Sequence, residues 1–314
     1  MKPIIPIFFA TDDNYATFLA IALQSIKENA SKEYQYNIHV LHRGLSNTST
    51  DMLDTFNDDN FKLFYDDVKE CLDKYAGTLF VRDYYSKATY YRIFIPSIFP
   101  QYKKVLYLDC DIAVKGDISE LYNTEIGDNY VGAITDEAVG NVPEFSDYVE
   151  KFLGVSQPNY FNAGILVINL EKLREDHFDE KFLDLISKYK FIVAQDQDYL
   201  NVLCKDKVTY ISKVWNKQPM PDDNLSLDNI KLIHYNLSFK PWHYDNILYQ
   251  EVFWKYVKQI GLYDKINQML IDFTDEHKQK DQQGGANLIK LAGELSKDAN
   301  RFNDLVERNV INLN

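Results

Sequence analysis

The residues best suited to chemistry in this sequence are two aspartates separated by one residue, Asp109 and Asp111. They directly follow a short apolar run, residues 105–108, which is the pattern of a strand buried on both faces. Residues two apart in an extended chain point to the same side, so both carboxylates project from the carboxyl end of this strand, where open α/β sheets bind ligands. Convergent carboxylates repel each other unless a cation lies between them, and oxygen ligands suit Mg²⁺ or Mn²⁺. The alternative is an aspartate-rich surface turn, because an Asp-x-Asp tripeptide is common by chance.

The stretches around this pair alternate between strand and helix patterns. Short apolar runs predict strands at 7–10, 36–41, 61–65, 105–108, 130–135, 165–169 and 230–233, with Pro3 and Pro6 confining the first strand. Apolar residues at helical spacing predict helices after residues 11–13, around 52–56, and at 87–95, 179–189, 195–203 and 247–260. The helix at 87–95 is expected to end near Pro96. This alternation is typical of an α/β fold with a doubly wound, mostly parallel sheet.

The composition divides the chain into a large domain and a tail. Residues 1–273 carry the strand–helix alternation, and 314 residues are enough to bury one large core. Residues 274–287 are polar and contain the pair Gly284-Gly285, which predicts a linker. Residues 288–314 place apolar side chains at helical spacing, which predicts a C-terminal amphipathic helix. We expect this helix to pack on its own domain or on a second copy of the chain, forming a homo-oligomer.

The charge of the chain restricts its partners. The formal net charge is −13, so the chain offers no basic surface to a nucleic acid or an anionic membrane. The longest apolar run, near residues 4–10, is too short to span a bilayer, and no charged n-region or cleavage site accompanies it. The cysteines, Cys71, Cys110 and Cys204, match neither a zinc site nor a disulfide framework, so we interpret them as reduced thiols. These features predict a cytoplasmic location.

Six short motifs, one of which contains the aspartate pair, fall at the ends of predicted strands or the starts of predicted helices. In chain order they read ATDDNYA (10–16), TYYR (89–92), VLYLDCDIAV (105–114), FNAGILVIN (161–169), QDQDYLN (195–201) and HY…KPWH (234–243). Together the motifs resemble glycosyltransferase family 8, the retaining, metal-dependent enzymes of GT-A fold that include bacterial lipooligosaccharide galactosyltransferases and glycogenin. The resemblance covers residues 4–242.

The resemblance implies a metal site and a diphosphate site. Asp109, Asp111 and His234 match the residues that bind Mn²⁺ (or Mg²⁺) in the family. Lys240 matches the lysine that contacts the diphosphate of the leaving UDP. Taken alone, His234 is more typical of a core histidine with satisfied hydrogen bonds, and Lys240 of a solvated surface lysine.

The resemblance also implies the residues that bind the donor, a UDP-hexose. Asp12 would accept the uracil N–H and Tyr15 would stack on the ring, whereas a simpler interpretation of the same loop is a helix cap. Arg92, Asp136 and Asn162, together with Asp196, match residues that bind donor sugar hydroxyls, although each is also typical of a surface salt bridge or a turn. The full set of donor-binding positions is Ala10, Thr11, Asp12, Asn14, Tyr15, Arg92, Asp109, Cys110, Asp111, Asp136, Asn162, Ala163, Asp196, Gln197, His234 and Lys240.

Catalysis is expected at residues 195–198, together with Lys240. A retaining transfer needs either a nucleophile on the β-face of the sugar or a front-side path through an oxocarbenium-like state. By resemblance, Gln197 lies under the anomeric carbon with Asp196 and Asp198 on either side. We favour the front-side path because an amide is a poor nucleophile. The alternative for the carboxylates is that Asp196 only caps a helix and Asp198 faces solvent.

One position departs from the pattern of the family. Many members have a glycine where this chain has Leu237, close to the diphosphate, and leucine lacks the backbone freedom of glycine. The contact between Lys240 and the diphosphate is expected to survive, and the departure bears on the loop conformation and on the donor pose.

These observations predict a hexosyltransferase that moves galactose or glucose from a UDP-sugar to a glycan, lipo-oligosaccharide or glycoprotein acceptor with retention. Charges in residues 288–314 are balanced, so membrane proximity is expected only weakly, through the acceptor. Two alternatives stay open: a sugar-nucleotide-binding protein without activity, and a self-glucosylating primer like glycogenin, since the chain has 23 tyrosines. A nucleotidyltransferase or a dinucleotide dehydrogenase would need a glycine-rich phosphate loop, and ATDDNYA contains no glycine.

Overall fold

The structure is a computed structural model that describes residues 2–70 and 87–313. The chain divides into two compact units. The first comprises Met1–Lys69, Val105–Glu125 and Ser212–Asp281, and the second comprises Glu70–Lys104, Ile126–Ile211 and Gln282–Asn314. Cys71 lies outside the described residues. Across the described part of the chain, no helix combines the length and the apolar character needed to cross a bilayer.

The secondary structure alternates as the sequence predicts. The described strands are β1 (Ile4–Ala10), β2 (Gln35–His42), β3 (Phe61–Asp67), β4 (Lys104–Leu108), β5 (Ile112–Val114), β6 (Val131–Thr135), β7 (Phe161–Asn169), β8 (Val208–Tyr210) and β9 (Leu232–His234). The described α-helices are α1 (Ala16–Asn29), α2 (Asn47–Asp54), α3 (Tyr91–Ile98), α4 (Ile118–Tyr122), α5 (Glu137–Asn141), α6 (Pro143–Asp147), α7 (Leu170–Glu175), α8 (Phe178–Lys188), α9 (Asp196–Leu203), α10 (Gln250–Gln259), α11 (Tyr263–Asp272), α12 (Asp275–Leu295) and α13 (Phe302–Glu307). Short 3₁₀ helices span Lys87–Tyr90, Gln157–Asn159, Lys213–Trp215 and Leu227–Asn229, and a π-helix spans Tyr148–Leu153.

The first unit is built on a parallel sheet with the strand order β3-β2-β1-β4. Strand β1 begins at Ile4, earlier than the start at residue 7 that the prolines predict. Pro6 lies in register with Asn37 of β2, while the pairing of β1 with β4 begins only at Ile7. The ladder therefore tolerates a residue without an N–H at this position.

A second, two-stranded ladder of the first unit lies directly after the aspartate pair. Residues 105–108 of β4 are buried, as their apolar pattern predicts, and Asp109 and Asp111 follow at its carboxyl end. Strand β5 comes next and pairs antiparallel with β9, which places Ile112 opposite His234. This pairing brings a histidine that is distant in sequence beside the aspartates.

The second unit contains the strands β7-β6-β8, with β6 antiparallel to β7 and parallel to β8. Strand β7 begins at Phe161, before the predicted start at residue 165. A register shift between Ala133 and Ile134 of β6 lets Ile134 pair with Asn162 and extends the ladder. The FNAG motif therefore lies on a strand and not in a loop. The predicted α/β class with a mostly parallel sheet is confirmed.

Helix α3 continues past Pro96, where the sequence predicts its end. A proline removes one i→i−4 hydrogen bond, but Phe94 and Ile95 are buried, and the N–H of Phe99 still bonds the carbonyl of Ile95. Packing of the buried face therefore outweighs the loss of one bond.

The segment predicted as a linker is helical, and this part of the prediction is corrected. Helix α12 runs through residues 275–287 without interruption. Its glutamine, glutamate and lysine residues favour a helix, and Glu276 pairs with Lys280 at 2.7 Å, which together offset the two glycines. The hydroxyl of Tyr244 donates a hydrogen bond to Asp281 at 2.8 Å and holds the first half of the helix.

The C-terminal segment packs within the second unit of its own chain. A short helix, α13, stands in place of the single amphipathic helix that the sequence predicts, because the chain turns after Leu295. Phe302 is fully buried, and its ring centroid lies 5.1 Å from that of Tyr189 and 4.8 Å from that of Phe191. Gly154 has a positive φ, and a Cβ there would clash with Oδ1 of Asn303. Packing on its own chain is thus confirmed, and the homo-oligomer stays a prediction.

Removal of the Phe302 ring tests this packing. Phe302→Ala is expected to lower the free energy of unfolding by about 3–5 kcal/mol, because it leaves a cavity among aromatic rings. Urea unfolding followed by circular dichroism measures the loss. Val310, which is 67% exposed in the same segment, supplies the control, and Val310→Ala should change stability by less than about 0.5 kcal/mol. Equal losses for the two variants would contradict the described position of Phe302.

Candidate active site

A cluster of two carboxylates and an imidazole lies in the first unit. Asp109, Asp111 and His234 each offer one ligand atom, and these atoms lie within 4.8 Å of one another. Nε2 of His234 lies 3.2 Å from Oδ1 of Asp111 and 3.7 Å from Oδ2 of Asp109. The aspartates that the sequence predicts to project together therefore converge on one ring nitrogen.

The other ring nitrogen of His234 is held by a side chain that the sequence did not point to. Nδ1 of His234 lies 3.0 Å from Oδ1 of Asn216. An amide oxygen only accepts, so Nδ1 donates its proton to Asn216 and Nε2 is the ring nitrogen that faces the carboxylates. A metal-binding histidine is oriented in the same way, by a hydrogen bond from its other ring nitrogen.

This donor set fits a divalent cation. Two carboxylates and one neutral imidazole are suitable ligands for Mn²⁺ or Mg²⁺, and three protein ligands leave octahedral positions for phosphate oxygens. Among the residues that the structure describes, Asp109, Asp111 and His234 are the only such group.

Lys240 forms a buried ion pair with Oδ2 of Asp111, and its ammonium lies 5.4 Å from the ring centroid of Trp242. Burial by itself raises the pKa of Asp111, but the Lys240 ammonium and His234 outweigh burial and hold this pKa well below its ordinary value. Burial lowers the pKa of Lys240, but the Asp111 carboxylate more than compensates, so this pKa is raised. Both groups are therefore charged near neutral pH, and Lys240 is not a solvated surface lysine.

The predicted uridine loop belongs to the same unit. The side chain of Asp12 accepts the backbone N–H of Tyr15 at 3.0 Å, so it caps the turn before α1. The thiol of Cys110 lies 3.4 Å from the carbonyl oxygen of Ala10, which ties the loop to the aspartate pair. The other two predicted positions are Thr11, which is buried, and Asn14, which is exposed.

Leu237 occupies a backbone conformation that favours glycine. Its φ is +51°, and its side chain is 44% exposed. The left-handed region costs a residue with a side chain about 1–2 kcal/mol. Leucine therefore occupies here a left-handed backbone position of the kind that glycine favours.

A second cluster lies in the second unit and includes a buried ion pair. Nε of Arg92 lies 3.1 Å from Oδ2 of Asp196, and both side chains are 4% exposed. Arg92 also donates to the carbonyl oxygens of Thr89 and Ala163. A surface salt bridge is thus the wrong interpretation, since a buried arginine needs all these acceptors.

Gln197 is the centre of a hydrogen-bond network in this second cluster. Its Oε1 accepts the N–H of Ala163 at 3.0 Å, and its Nε2 donates to Oδ2 of Asp136 at 3.1 Å and to the hydroxyl of Tyr160 at 3.3 Å. Asn162 donates to the same oxygen of Asp136 at 3.0 Å. Residues that the sequence predicts as one donor set are therefore brought together by direct contacts.

Asp198 is fully buried in a cage of donors. Its Oδ1 accepts the hydroxyl of Tyr160 at 2.7 Å, and its Oδ2 accepts the hydroxyl of Tyr148 and the N–H of Ala194, each at 2.9 Å. Burial raises the pKa of Asp198 to about 6, although these hydrogen bonds act to lower it. The alternative in which Asp198 faces solvent is wrong.

Gln195, which directly precedes Asp196, has a strained backbone. Gln195 is the cap residue of α9, with φ of 49° and ψ of −116°, a region that a residue with a side chain rarely adopts. Its side chain is fully buried. Asp196 is therefore the first residue of the helix and not its cap.

Residues 6–246 match the family model of glycosyl transferase family 8. The chain belongs to glycosyltransferase family 8. It is 28% identical to a lipopolysaccharide 1,2-glucosyltransferase of Escherichia coli over 251 residues, covering 74% of this chain and 71% of the relative. It is 29% identical to a lipopolysaccharide 1,3-galactosyltransferase of Salmonella typhimurium over 171 residues, covering 50% of this chain and 49% of the relative. A solved structure of the galactosyltransferase LgtC with donor and acceptor sugar analogues has a TM-score of 0.69 at 28% identity, covering 82% of this chain and 96% of that chain.

Membership of family 8 confirms the predicted family and the predicted GT-A fold. It also confirms that the chain is an enzyme of the glycosyltransferase class.

Three residues that contact the two clusters escaped sequence reasoning: Asn216 beside His234, and Tyr148 and Tyr160 beside Asp198. Because the chain has 23 tyrosines and 19 phenylalanines, the sequence alone does not distinguish a tyrosine with a polar role from the many aromatic residues of the hydrophobic core. Tyr160 directly precedes the FNAG motif, and this position is the one signal that could have identified it.

Substitution of Leu237 by glycine tests the strain in the family 8 loop. Leu237→Gly is expected to raise the free energy of unfolding by about 0.5–1 kcal/mol, because relief of the left-handed strain exceeds the entropy that glycine adds to the unfolded chain. Leu248 is 39% exposed and is not among the residues with positive φ, so Leu248→Gly should instead lose about 1 kcal/mol. Chemical denaturation measures both changes, and a loss of stability in Leu237→Gly would contradict the strain.

Proposed function

We propose that this enzyme transfers galactose or glucose from a UDP-hexose to a glycan, lipo-oligosaccharide or glycoprotein acceptor, with retention at the anomeric carbon. The observation that carries this proposal is the convergence of Asp109, Asp111 and His234 beside the buried ammonium of Lys240. A metal site and a fixed cation both stabilise the negative charge of a nucleoside diphosphate leaving group. The names of the relatives, a glucosyltransferase and a galactosyltransferase acting on lipopolysaccharide, support the hexose and the glycan acceptor.

The proposed reaction exchanges one bond at the anomeric carbon. The bond from this carbon to the β-phosphate oxygen breaks, and UDP leaves with the electron pair. The acceptor hydroxyl oxygen forms the new bond, and its proton passes to the departing phosphate oxygen. A divalent cation held by Asp109, Asp111 and His234 would supply Lewis-acid stabilisation of the negative charge on the diphosphate. Lys240 adds a positive charge that costs little to orient, since the ion pair already fixes it.

The second cluster is proposed to bind the sugar. Arg92, Asp136, Asn162 and Asp196 present the donors and acceptors that sugar hydroxyls require. Gln197 is proposed to lie under the anomeric carbon. Its Oε1 has a second lone pair besides the one that accepts from Ala163, and this partial negative charge can stabilise an oxocarbenium-like state without a covalent bond.

The location and assembly of the enzyme are also proposals. The acidic composition and the three widely spaced cysteines, which match no disulfide framework, support a cytoplasmic location. The C-terminal segment, with exposed residues such as Val310, is the surface we propose for a homo-oligomer.

Removal of one metal ligand tests the first cluster. UDP release from UDP-galactose or UDP-glucose is expected to require Mn²⁺ or Mg²⁺, and Asp111→Asn should lower it by about 10³-fold or more, because the diphosphate charge loses its counter-charge. A coupled assay for UDP, with UDP-N-acetylglucosamine as a third donor, measures the activity and the hexose preference. Asp128→Asn, at an exposed position of a loop, is the control and should leave activity and folding unchanged. Full activity in excess chelator would refute the metal site.

Removal of the Gln197 amide tests the front-side path. Gln197→Ala is expected to slow transfer by about 10–100-fold, since one or two polar contacts to a developing charge are lost. Intact-protein mass spectrometry of the wild-type enzyme with donor and no acceptor should show no covalent hexose. A stoichiometric hexose adduct on Asp196 or Asp198 would instead establish a carboxylate nucleophile.

A further inference from the structure

A chain of hydrogen bonds links the buried carboxylate of Asp198 to the side-chain amide of Gln197. The hydroxyl of Tyr160 donates to Oδ1 of Asp198 at 2.7 Å, and its oxygen accepts from Nε2 of Gln197 at 3.3 Å. Tyr160 is only 1% exposed, so water does not compete for these bonds. None of the roles proposed above involves Tyr160.

The direction of each hydrogen bond in this series follows from the groups at its two ends, the carboxylate of Asp198 and the amide of Gln197. A carboxylate only accepts, and Oδ2 of Asp198 is already occupied by Tyr148 and the N–H of Ala194. Burial raises the pKa of Asp198 to about 6, so the group is ionised at neutral pH and above. Tyr160 therefore directs its single proton to Asp198, and only the lone pairs of its oxygen remain for Gln197.

The orientation of the Gln197 amide depends on this direction. Its Oε1 faces the N–H of Ala163, and its Nε2 faces two acceptors, Oδ2 of Asp136 and the oxygen of Tyr160. If Tyr160 directed its proton at Gln197, a donor would face a donor, and the amide would lose one of its three partners. Asp198 is thus linked to Gln197 through the hydroxyl of Tyr160.

We propose that Tyr160 is a positioning residue, which couples the charge of Asp198 to Gln197 and fixes the side-chain amide with Oε1 oriented for the reaction. The inference rests on the proposed function for its effect on turnover alone. Its structural part, the fixed amide, stands independently of any activity.

Tyr148 provides a matched control within the same cage. Both tyrosines are 1% exposed, and both donate a hydroxyl to Asp198, at 2.9 Å for Tyr148 and 2.7 Å for Tyr160. Of these two tyrosines, Tyr160 alone is among the described hydrogen-bond partners of the Gln197 side chain. Tyr148→Phe and Tyr160→Phe therefore remove the same group from the same carboxylate, but only Tyr160→Phe also removes a partner of the Gln197 side chain.

The first measurement needs no activity. In protein labelled with ¹⁵N in the glutamine side chains, each NH₂ group gives two proton signals that share one nitrogen, and the pair lost in Gln197→Ala identifies Gln197. In Tyr160→Phe we expect hydrogen exchange of this NH₂ group to accelerate about tenfold, the effect of losing one hydrogen bond. In Tyr148→Phe the exchange rate should stay within about twofold of wild type. Equal exchange rates in the two variants would overturn the inference.

The second measurement is the turnover of UDP-hexose in the absence of acceptor. Tyr160→Phe should lower kcat about tenfold with little change in KM, whereas Tyr148→Phe should keep kcat within about threefold. Thermal unfolding should show that both variants remain folded at the assay temperature, which separates positioning from stability. Equal kcat values in the two variants would overturn the kinetic part of the inference. A wild-type enzyme that releases no UDP from any UDP-hexose, but shows the expected amide exchange, would refute the proposed function and support the positioning role.

Asp198→Asn keeps the inference testable if Tyr160→Phe does not fold. The carboxamide oxygen can still accept from Ala194, so its NH₂ group faces the hydroxyl of Tyr160 and reverses that bond. The Gln197 amide signal should then exchange faster, as in Tyr160→Phe. An unchanged signal would show that the charge of Asp198 does not reach Gln197.

Discussion

The meeting of two carboxylates at the end of a buried strand is the constraint on which the first unit depends. Asp109 and Asp111 repel each other, and burial adds to the cost of charging Asp111, so the fold has to supply positive charge at this point. The ladder between β5 and β9 brings His234, and the loop beyond it returns Lys240 to Asp111. The left-handed conformation of Leu237 lies within that loop, so the ion pair offsets the backbone strain.

The two clusters use different physics. In the first, opposite charges are held close together with little access to water, which suits the stabilisation of a leaving group whose charge grows during the reaction. In the second, the ion pair of Arg92 with Asp196 is compensated within the protein, and the side chain of Gln197 is held by neutral and charge-assisted hydrogen bonds. Such a network holds polar groups in fixed directions, which suits the recognition of sugar hydroxyls.

Sequence reasoning succeeded where local pattern and structure agree. The apolar run before Asp109 predicts the buried strand, and period-2 geometry predicts that both aspartates project together. It failed where distant packing decides. Pro96 does not end its helix, because buried neighbours hold the backbone, and a polar, glycine-containing segment is helical, because residues such as Asp281 have partners in tertiary structure.

The candidate site shows the same division. His234 was assigned through the family resemblance, since the pairing of β5 with β9 cannot be read from a single sequence. Asn216 and Tyr148 were missed because nothing in their neighbourhoods distinguishes them from a turn residue and a core tyrosine. The role of a polar side chain depends on the partner that folding brings to it, and sequence spacing reveals that partner only inside one strand or helix.

The burial of Asp198 bears on the choice between the two reaction paths. A carboxylate that attacks carbon has to present a lone pair to the sugar, but both oxygens of Asp198 accept short hydrogen bonds, and one of them accepts two. Breaking such bonds inside a desolvated cage adds to the barrier, because no water replaces the lost donors. If Gln197 lies under the anomeric carbon, as the family resemblance implies, a neutral amide with the negative charge one hydroxyl further away would give electrostatic stabilisation without that cost. The hydrogen bonds of Asp198 therefore argue against it as a nucleophile and support the proposed front-side transfer.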